Sequence, residues 1–398
     1  MLIPKALVSG ASLAGPVVAF WLLRAGFEVT VVEQAPGPRR GGNGVDIRAE
    51  ALSVIGRMGL SAAVRTKSVV TKGMRFVDRD DRQRGRIDKA GMERMVGSED
   101  VEITRGDLAS ILYEATRNDV EYVFGDTIKA LAQDHSEVDV MFAHGPPRRF
   151  DLLVGADGFH SNVRRLVFGP EERFSVFKNH YFATAGADFF IGEPYWTTNY
   201  SEPGKSVSVF RDENGRGQVN FIFRSQQPLV YEFRDTAGQK RLLRKAFAGL
   251  GWHVPALLDA AEAAPDFYFD AIGQMQMPSW SNGRIALVGD AAYCASPASG
   301  AGALLALTGA YRLAGELAAG GDFEAAFARY EAAQRPLVAR KQANLFTGIS
   351  VPRTRLAIAA RNLFVSSPLV RLVSGPQSDK GARLKEYAFP GDRLTSAE

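Results

Sequence analysis

Residues 5–33 read KALVSGASLAGPVVAFWLLRAGFEVTVVE, and this stretch decides the fold. Ala6 to Ser9 is a short apolar strand, and Gly10 to Gly15 is a turn of small residues. Pro16 to Ala25 is a helical run closed by Gly26, the residue type that most easily ends a helix. Glu28 to Val32 is a β-branched strand, with Glu33 directly after it. Strand, turn, helix and strand at this spacing form one βαβ unit and predict a parallel sheet covered by helices. The turn fits G-x-G-x-x-G with Ser12 in place of the middle glycine. Gly10 permits the tight turn, small Ser12 lets a pyrophosphate approach the backbone, and Gly15 lets the helix close on the strand. The helix start then offers unpaired N–H groups to the anion. Glu33, 18 residues after Gly15, is placed to accept hydrogen bonds from a ribose. An acid there favours an unphosphorylated adenosine ribose, hence FAD or NAD rather than NADP.

Outward from this unit the chain continues in the same grammar. After Pro36 comes the loop PGPRRGGNG, then VDIRAEALSVIGRMGL, helical in its second half. Thr104 to Thr116 places Leu108, Ile111, Leu112 and Ala115 on one helical face. Segments 120–124, 138–142 and 150–155 read as strands. From about 174 to 224 aromatic and β-branched residues alternate with polar ones between Gly, Pro and Asn turns, which is antiparallel-sheet patterning. Thr236 to Ala264 is helical, Arg284 to Val288 is another buried strand, and the pattern from Gly300 to Val373 is helical. Breaks are expected at Gly320-Gly321, Pro336, Pro352 and Pro368, and the polar tail from Ser374 to Glu398 is expected to be partly loose. The expectation is an α/β fold: a Rossmann-like domain over 1–172 and 267–345, interrupted by an antiparallel-sheet domain over 173–266. Some strands of that second domain should lie within 60–105. Residues 346–398 are expected to form a helix and tail bracing the two.

Composition narrows the class. With 398 residues, 46% hydrophobic and 23% charged, the chain is long enough to bury a core without disulfides or metals. Its 48 basic and 44 acidic residues leave a mild +4 and no basic block, so no nucleic-acid surface is indicated. The single Cys294 excludes an intramolecular disulfide and a multi-cysteine metal site, and the five histidines show no metal-ligand spacing. The start MLIPKALVSG lacks a charged region before its apolar run, and no apolar stretch reaches the roughly 18 residues of a membrane span. A cytoplasmic protein, monomeric or homodimeric, is the expectation.

Two further motifs carry chemistry. GADGFHSNVR, residues 155–164, ends a strand, and its Asp157 reads either as a cap for the next helix or as part of a nucleotide site. GRIALVGDAAYCASPASGAG, residues 283–302, sets Gly289 and Asp290 at a strand end, before Pro297 and the glycine-rich helix start at Gly300. An aspartate there can bind a ribityl or ribose hydroxyl, and the helix start can face its N–H groups toward a flavin edge.

Taken in order, GASLAG with Glu33, GADGFHSNVR and GRIALVGDAAYCASPASGAG resemble the three fingerprints of group A FAD-dependent aromatic monooxygenases, the para-hydroxybenzoate hydroxylase type. The resemblance spans about residues 5 to 340. GGNGVDIR and ITRGDLASIL look most like the compact tetracycline-modifying branch. What it implies is an enzyme in which NADPH or NADH reduces FAD, O2 adds to give a flavin C4a-hydroperoxide, and one oxygen passes to an aromatic or polyketide-like acceptor. Only one dinucleotide fingerprint is present, and FAD fills it, so NAD(P)H must bind transiently without a Rossmann domain of its own.

The same resemblance assigns Gly10, Ser12, Ala14, Gly15 and Glu33 to the ADP half of FAD, and Asp46, Arg48 and Arg105 to its flavin end, ribityl chain or pyrophosphate. Gly289 and Asp290 would hold the ribityl or pyrophosphate region. Pro297, Gly300, Ala301, Gly302 and Ala303 would lie beside the isoalloxazine ring. Asp157 and Gly158 would touch FAD indirectly and help NAD(P)H bind, with Arg39 or Arg40 meeting its phosphates or remaining solvated. The chain departs from many relatives at Tyr293, where they have His, and at Ala301 and Leu304, where they have Gln and Asn.

The acceptor pocket is expected between the flavin and the antiparallel domain. Phe182, Phe190, Phe210, Phe221 and Met275 are its candidate lining, each with core packing as the alternative, and Tyr293 is a candidate wall. No base is assigned among His160, His180 and His253. The basic amphipathic run RTRLAIAARNLFVSSPLVRLV reads as a bracing helix or as a membrane-surface helix. Inactivation of a polycyclic antibiotic, two-electron flavin reduction and silent flavin binding stay open as alternatives. A halogenase is disfavoured because no WxWxIP segment is present.

Overall fold

The computed structural model describes residues 3–38, 41–42, 44–48, 50–96, 101–343, 350–367 and 384–393. The chain opens with β1 (Lys5–Ser9), α1 (Ala14–Arg24) and β2 (Glu28–Glu33), then β3 (Gly44–Ile47), α2 (Glu50–Arg57), α3 (Ser61–Thr66), β4 (Gly73–Val77) and β5 (Gln83–Asp88). Next come α4 (Lys89–Val96), β6 (Val101–Thr104), α5 (Arg105–Glu114), β7 (Glu121–Phe124), β8 (Ile128–Gln133), β9 (Val138–Phe142), β10 (Arg148–Phe150), β11 (Leu152–Gly155) and α6 (Asn162–Val167). The middle holds β12 (Ser175–Asp188), β13 (Trp196–Glu202), β14 (Lys205–Arg211), β15 (Arg216–Arg224), α7 (Thr236–Phe247), α8 (Val254–Ala263) and β16 (Tyr268–Met275). It closes with β17 (Ser281–Asn282), β18 (Ile285–Leu287), α9 (Asp290–Tyr293), α10 (Gly302–Ala318), α11 (Phe323–Ala343) and α12 (Arg355–Ser366).

The first sheet has the order β17-β18-β11-β1-β2-β7. β1 is central, pairing in parallel with β2 on one side and β11 on the other. Its residues Ala6, Leu7 and Val8 are fully buried, because helices cover both faces of a parallel sheet. The turns after β1 and β11 therefore emerge side by side at the carboxyl edge, where open α/β sheets bind ligands. β18 beside β11 brings the Gly289 turn to the same edge.

The second large sheet has the order β16-β12-β15-β14-β13-β4-β5. It differs from the expected domain in two respects. β16 lies beyond residue 266 yet pairs with β12, and β4 joins β13 in parallel, so the sheet is mixed rather than wholly antiparallel. Pairing between strands 84 to 123 residues apart leaves no local pattern. One face of this sheet, carrying Tyr181, Ala183, Val207, Phe221 and Phe223, is sealed with Leu243, Phe247, Leu257 and Leu258 of α7 and α8 into a separate core.

Two other expectations are corrected. Segment 150–155 is two strands, β10 and β11, broken at Asp151. Pro336 does not break a helix: α11 runs through it. Proline removes one helical N–H, and the burial of Tyr330, Gln334, Leu337 and Val338 on either side outweighs that loss. Within the tail, Leu384 and Phe389 join the main core; Pro368, residues 374–383 and 394–398 lie outside the described residues. α12 packs on β5, with Val365 buried against Phe76 and Ile87.

Candidate functional site

At the end of β1, Gly10 has φ +104°, and a Cβ there would lie 2.6 Å from the Ala156 carbonyl oxygen. A Cβ on Gly15 would lie 1.8 Å from the Gly10 oxygen. Both glycines are thus demanded by contact as well as by turn geometry. α1 begins without a side-chain cap and with no acid in its first turn, so its N–H groups remain available to an anion. Glu33 accepts the Ala11 and Ala35 N–H groups, each at 2.8 Å, and so ties the end of β2 to the turn.

Arg105, the first residue of α5, donates from Nη2 to Ser12 Oγ at 3.1 Å. Thr104 caps that helix by accepting the Asp107 N–H at 3.0 Å. The Arg105 Nε is buried without a hydrogen-bond partner. A buried cationic donor left unsatisfied at a glycine turn fits an anionic group. Asp46 and Arg48, on and just after β3, pair at 2.6 Å, and Arg48 Nη1 stands 3.6 Å from where a Gly300 Cβ would be.

Asp157 accepts from Ser161 Oγ at 2.5 Å and from the Val163 N–H at 3.0 Å. Burial pushes its carboxyl up, against the pull of these donors. Ser161 caps α6 by accepting the Arg164 N–H at 2.9 Å, so Asp157 organises the helix start through Ser161. Gly158 adopts φ +81° beside it. Arg164 is almost wholly buried and donates to the Ala291 carbonyl at 3.0 Å, pinning this segment to the turn at Gly289.

Gly289 has φ +67°, and a Cβ on it would lie 3.3 Å from Ala14 Cβ. Asp290 follows at the start of α9. Pro297 begins a 3-10 turn that ends at Gly300 with φ +61°; Ala301 then precedes α10, whose first residues are Gly302 and Ala303 and whose start has no side-chain cap. Gly10, Ala14, Ser12 with Arg105, and Gly289 thus lie together at the carboxyl edge of the parallel sheet, and Arg48 meets Gly300 just before α10. Small residues and open backbone donors around an unsatisfied arginine fit a dinucleotide such as FAD.

The expected pocket residues divide. Phe182 and Phe210 are half-buried and lie, by strand alternation, on the face of the second sheet away from α7 and α8. Phe221 is corrected: it is fully buried on the opposite face, with its ring edge-on to Phe247 at 5.2 Å. Phe190 is corrected as well, being 75% exposed beside Arg211. Met275 lies in the main core, its N–H donating to the Cys294 carbonyl. Tyr293 is not a wall. Its ring packs on Trp280 at 4.4 Å, and its hydroxyl, directed at Gly309, accepts from Tyr330 at 2.9 Å. Strand and helix periodicity shows that sides alternate, but not which side the fold covers. Arg39 and Arg40 lie outside the described residues.

Sequence reasoning left Arg164, Glu171, Asp270, Gln274 and Gln342 without roles. The last two cross-link the second sheet to the Cys294 segment: Gln274 donates to Gln342 O at 2.7 Å, and Gln342 donates to Met275 O at 2.8 Å and Cys294 O at 3.2 Å. Arg164 stood inside a quoted motif, whereas the others carry no local signal. Among the described residues no group of three or more His, Cys, Asp or Glu could hold a metal. No described helix is long and apolar enough to cross a membrane.

Comparison with known proteins accords with this geometry. Residues 4–342 match the family model described as FAD binding domain. A flavin-dependent monooxygenase of Legionella longbeachae serogroup 1 (strain NSW150) is 38% identical over 342 residues, covering 85% of this chain and 87% of the relative. The FAD-dependent monooxygenase asL4 of Sarocladium schorii is 33% identical over 326 residues, covering 79% and 75%. The crystal structure of tetracycline destructase Tet(51) superposes with a TM-score of 0.81 at 34% identity, covering 96% of this chain and all of that one.

Proposed function

The chain belongs to the FAD binding domain family and is an FAD-dependent monooxygenase of the group A aromatic type, and from that premise we propose how it uses its parts. The donor is NADPH or NADH, the oxidant is O2, and the acceptor is a planar phenolic or polyketide-like molecule. The balance is acceptor-H + O2 + NAD(P)H + H+ giving acceptor-OH + H2O + NAD(P)+. Bound FAD supplies the two-electron and oxygen-activating chemistry.

The observation that carries this reading is the meeting of Arg105, Ser12, Gly10 and Gly289 at one sheet edge. In it, Gly10, Ser12, Ala14 and Gly15 with the start of α1 bind the pyrophosphate, and Arg105 neutralises its charge. Glu33 exchanges one of its backbone donors for ribose hydroxyls. Asp46, Arg48 and Asp290 position the ribityl and flavin end, while Pro297 and Gly300 to Ala303 border the ring. Asp157 and Gly158 shape the approach of the nicotinamide nucleotide. The acceptor lies against the face of the second sheet that bears Phe182 and Phe210, which exclude water from it and hold its ring plane. The parallel sheet carries the FAD side and the mixed sheet the acceptor side.

Inactivation of a polycyclic antibiotic is the same chemistry on another acceptor, and the 34% identity to Tet(51) favours including it. The test is NAD(P)H oxidation by the purified yellow protein against a panel of phenols and polycyclic aromatics, tetracyclines included. Effector-dependent oxidation with a product heavier by one oxygen is expected. A protein that binds no FAD, or holds FAD and never oxidises nucleotide, overturns the reading.

A further inference from the structure

His160 follows Gly158-Phe159 and stands where three elements meet. Its Nδ1 is 3.1 Å from both carboxylate oxygens of Glu171, and its Nε2 is 3.0 Å from Asp270 Oδ2. An ionised carboxylate only accepts hydrogen bonds, so the two contacts are satisfied together only when both ring nitrogens carry hydrogen. The geometry demands an imidazolium.

Each carboxylate is itself anchored. Asp270, on the edge strand β16, is buried and also accepts from Tyr268 Oη at 2.8 Å, Tyr231 Oη at 3.1 Å and the Ala271 N–H at 2.7 Å. Glu171 accepts from Arg164 Nη2 at 2.9 Å, and Arg164 reaches the Ala291 carbonyl. A continuous chain of contacts therefore runs from the turn at Gly289 through Arg164, Glu171 and His160 to Asp270 in the second sheet. The charged and titratable groups facing the ring are Asp270 and Glu171, with Arg164 behind Glu171 and Tyr231 and Tyr268 on Asp270. Phe233 at 4.0 Å and Phe159 at 5.2 Å between ring centres pack on it, and the side chain stays 29% exposed.

We propose that His160 is a positioning residue whose imidazolium ties the edge of the acceptor-side sheet to the FAD-side turn, and that loss of its proton loosens this joint. With the proton, two cations balance two anions across the joint. Without it, two carboxylates face a ring that can donate to only one of them. Burial works against the charge, but the hydrogen bonds of Asp270 and Glu171 outweigh it and raise the ring to about 9. A group raised on folding contributes fully below its unfolded value, about 6.5, and its contribution is lost as pH rises through about 9.

The test is hydrogen exchange over 268–275 in the FAD-loaded protein between pH 7 and 10.5, corrected for the intrinsic rate, beside an NMR titration of the ring. Wild-type protection should fall by up to about tenfold per pH unit as pH rises from about 6.5 toward about 9, and level off above that. His160→Gln should be deprotected already at pH 7 and flat with pH; Asp270→Asn should be flat as well, and His160→Arg should keep its protection at pH 10. Neither readout depends on turnover, so failure here is distinct from failure of the monooxygenase reading. A ring that titrates near its ordinary value, wild-type protection flat across the range, or the same pH-dependent loss in His160→Gln overturns the proposal.

Discussion

Arg105 and Ser12, 93 positions apart in the chain, meet at 3.1 Å. The serine stands where the fingerprint usually has a glycine, and its hydroxyl gives the arginine a fixed point on the turn. One guanidinium edge is thereby held, while the buried Nε stays unsatisfied. Replacing Arg105 with Met should weaken FAD binding by roughly 10- to 100-fold, the value of one or two charge-assisted hydrogen bonds. Flavin fluorescence on titration reads this directly; an unchanged dissociation constant would separate Arg105 from the cofactor.

The approach of α1 to β1 depends on Gly15. A methyl group there would lie 1.8 Å from the Gly10 carbonyl oxygen, so the helix must shift. Gly15→Ala should cost roughly 3 kcal/mol or more, in the range of severe overpacking, and abolish flavin retention. Gly37, with nothing within 4 Å of its added Cβ, is the control: Gly37→Ala should stay within about 0.5 kcal/mol. Urea unfolding of both variants compares them.

Cys294 is buried between the Asp290 turn and Gly273, and burial together with the nearby Asp290 carboxylate pushes its thiol well up. Since the thiolate is the reactive form, the folded protein should resist thiol reagents at pH 8 and become labelled in denaturant. Rapid labelling of the native protein would contradict the packing.

Glu316 fastens the C-terminal segment to α10. It accepts from Lys385 at 2.7 Å, Tyr387 at 2.8 Å and Arg329 at 2.8 Å. Burial alone would raise its carboxyl, yet these donors together hold it below the ordinary value of 4.5. A depressed carboxyl contributes its stability above the unfolded value and loses it as pH falls through the folded one. Glu316→Gln should cost about 2 kcal/mol, open 384–393 to proteolysis and flatten the acid limb of the stability curve below pH 4.5. Limited proteolysis across pH 3–7 measures both effects.

The βαβ start, the glycine turn and the three motifs were legible because their constraints are local. Gly10 and Gly15 meet within five residues of each other, and strand and helix periods need only a short window of sequence. Those features determined a parallel α/β core with a dinucleotide edge, and the order of the motifs identified FAD. Tertiary structure decided which face of each periodic segment is covered. Phe182 and Phe221 both occupy alternating strands, yet only Phe221 lies under α7. Met275 and Tyr293 were turned into the core by packing against partners far along the chain. The parallel pairing of β4 with β13, the uninterrupted helix at Pro336 and the placing of His160 between Glu171 and Asp270 arise likewise from distant contacts. Such contacts are settled by burial and charge balance in three dimensions, and no window of neighbouring residues contains them.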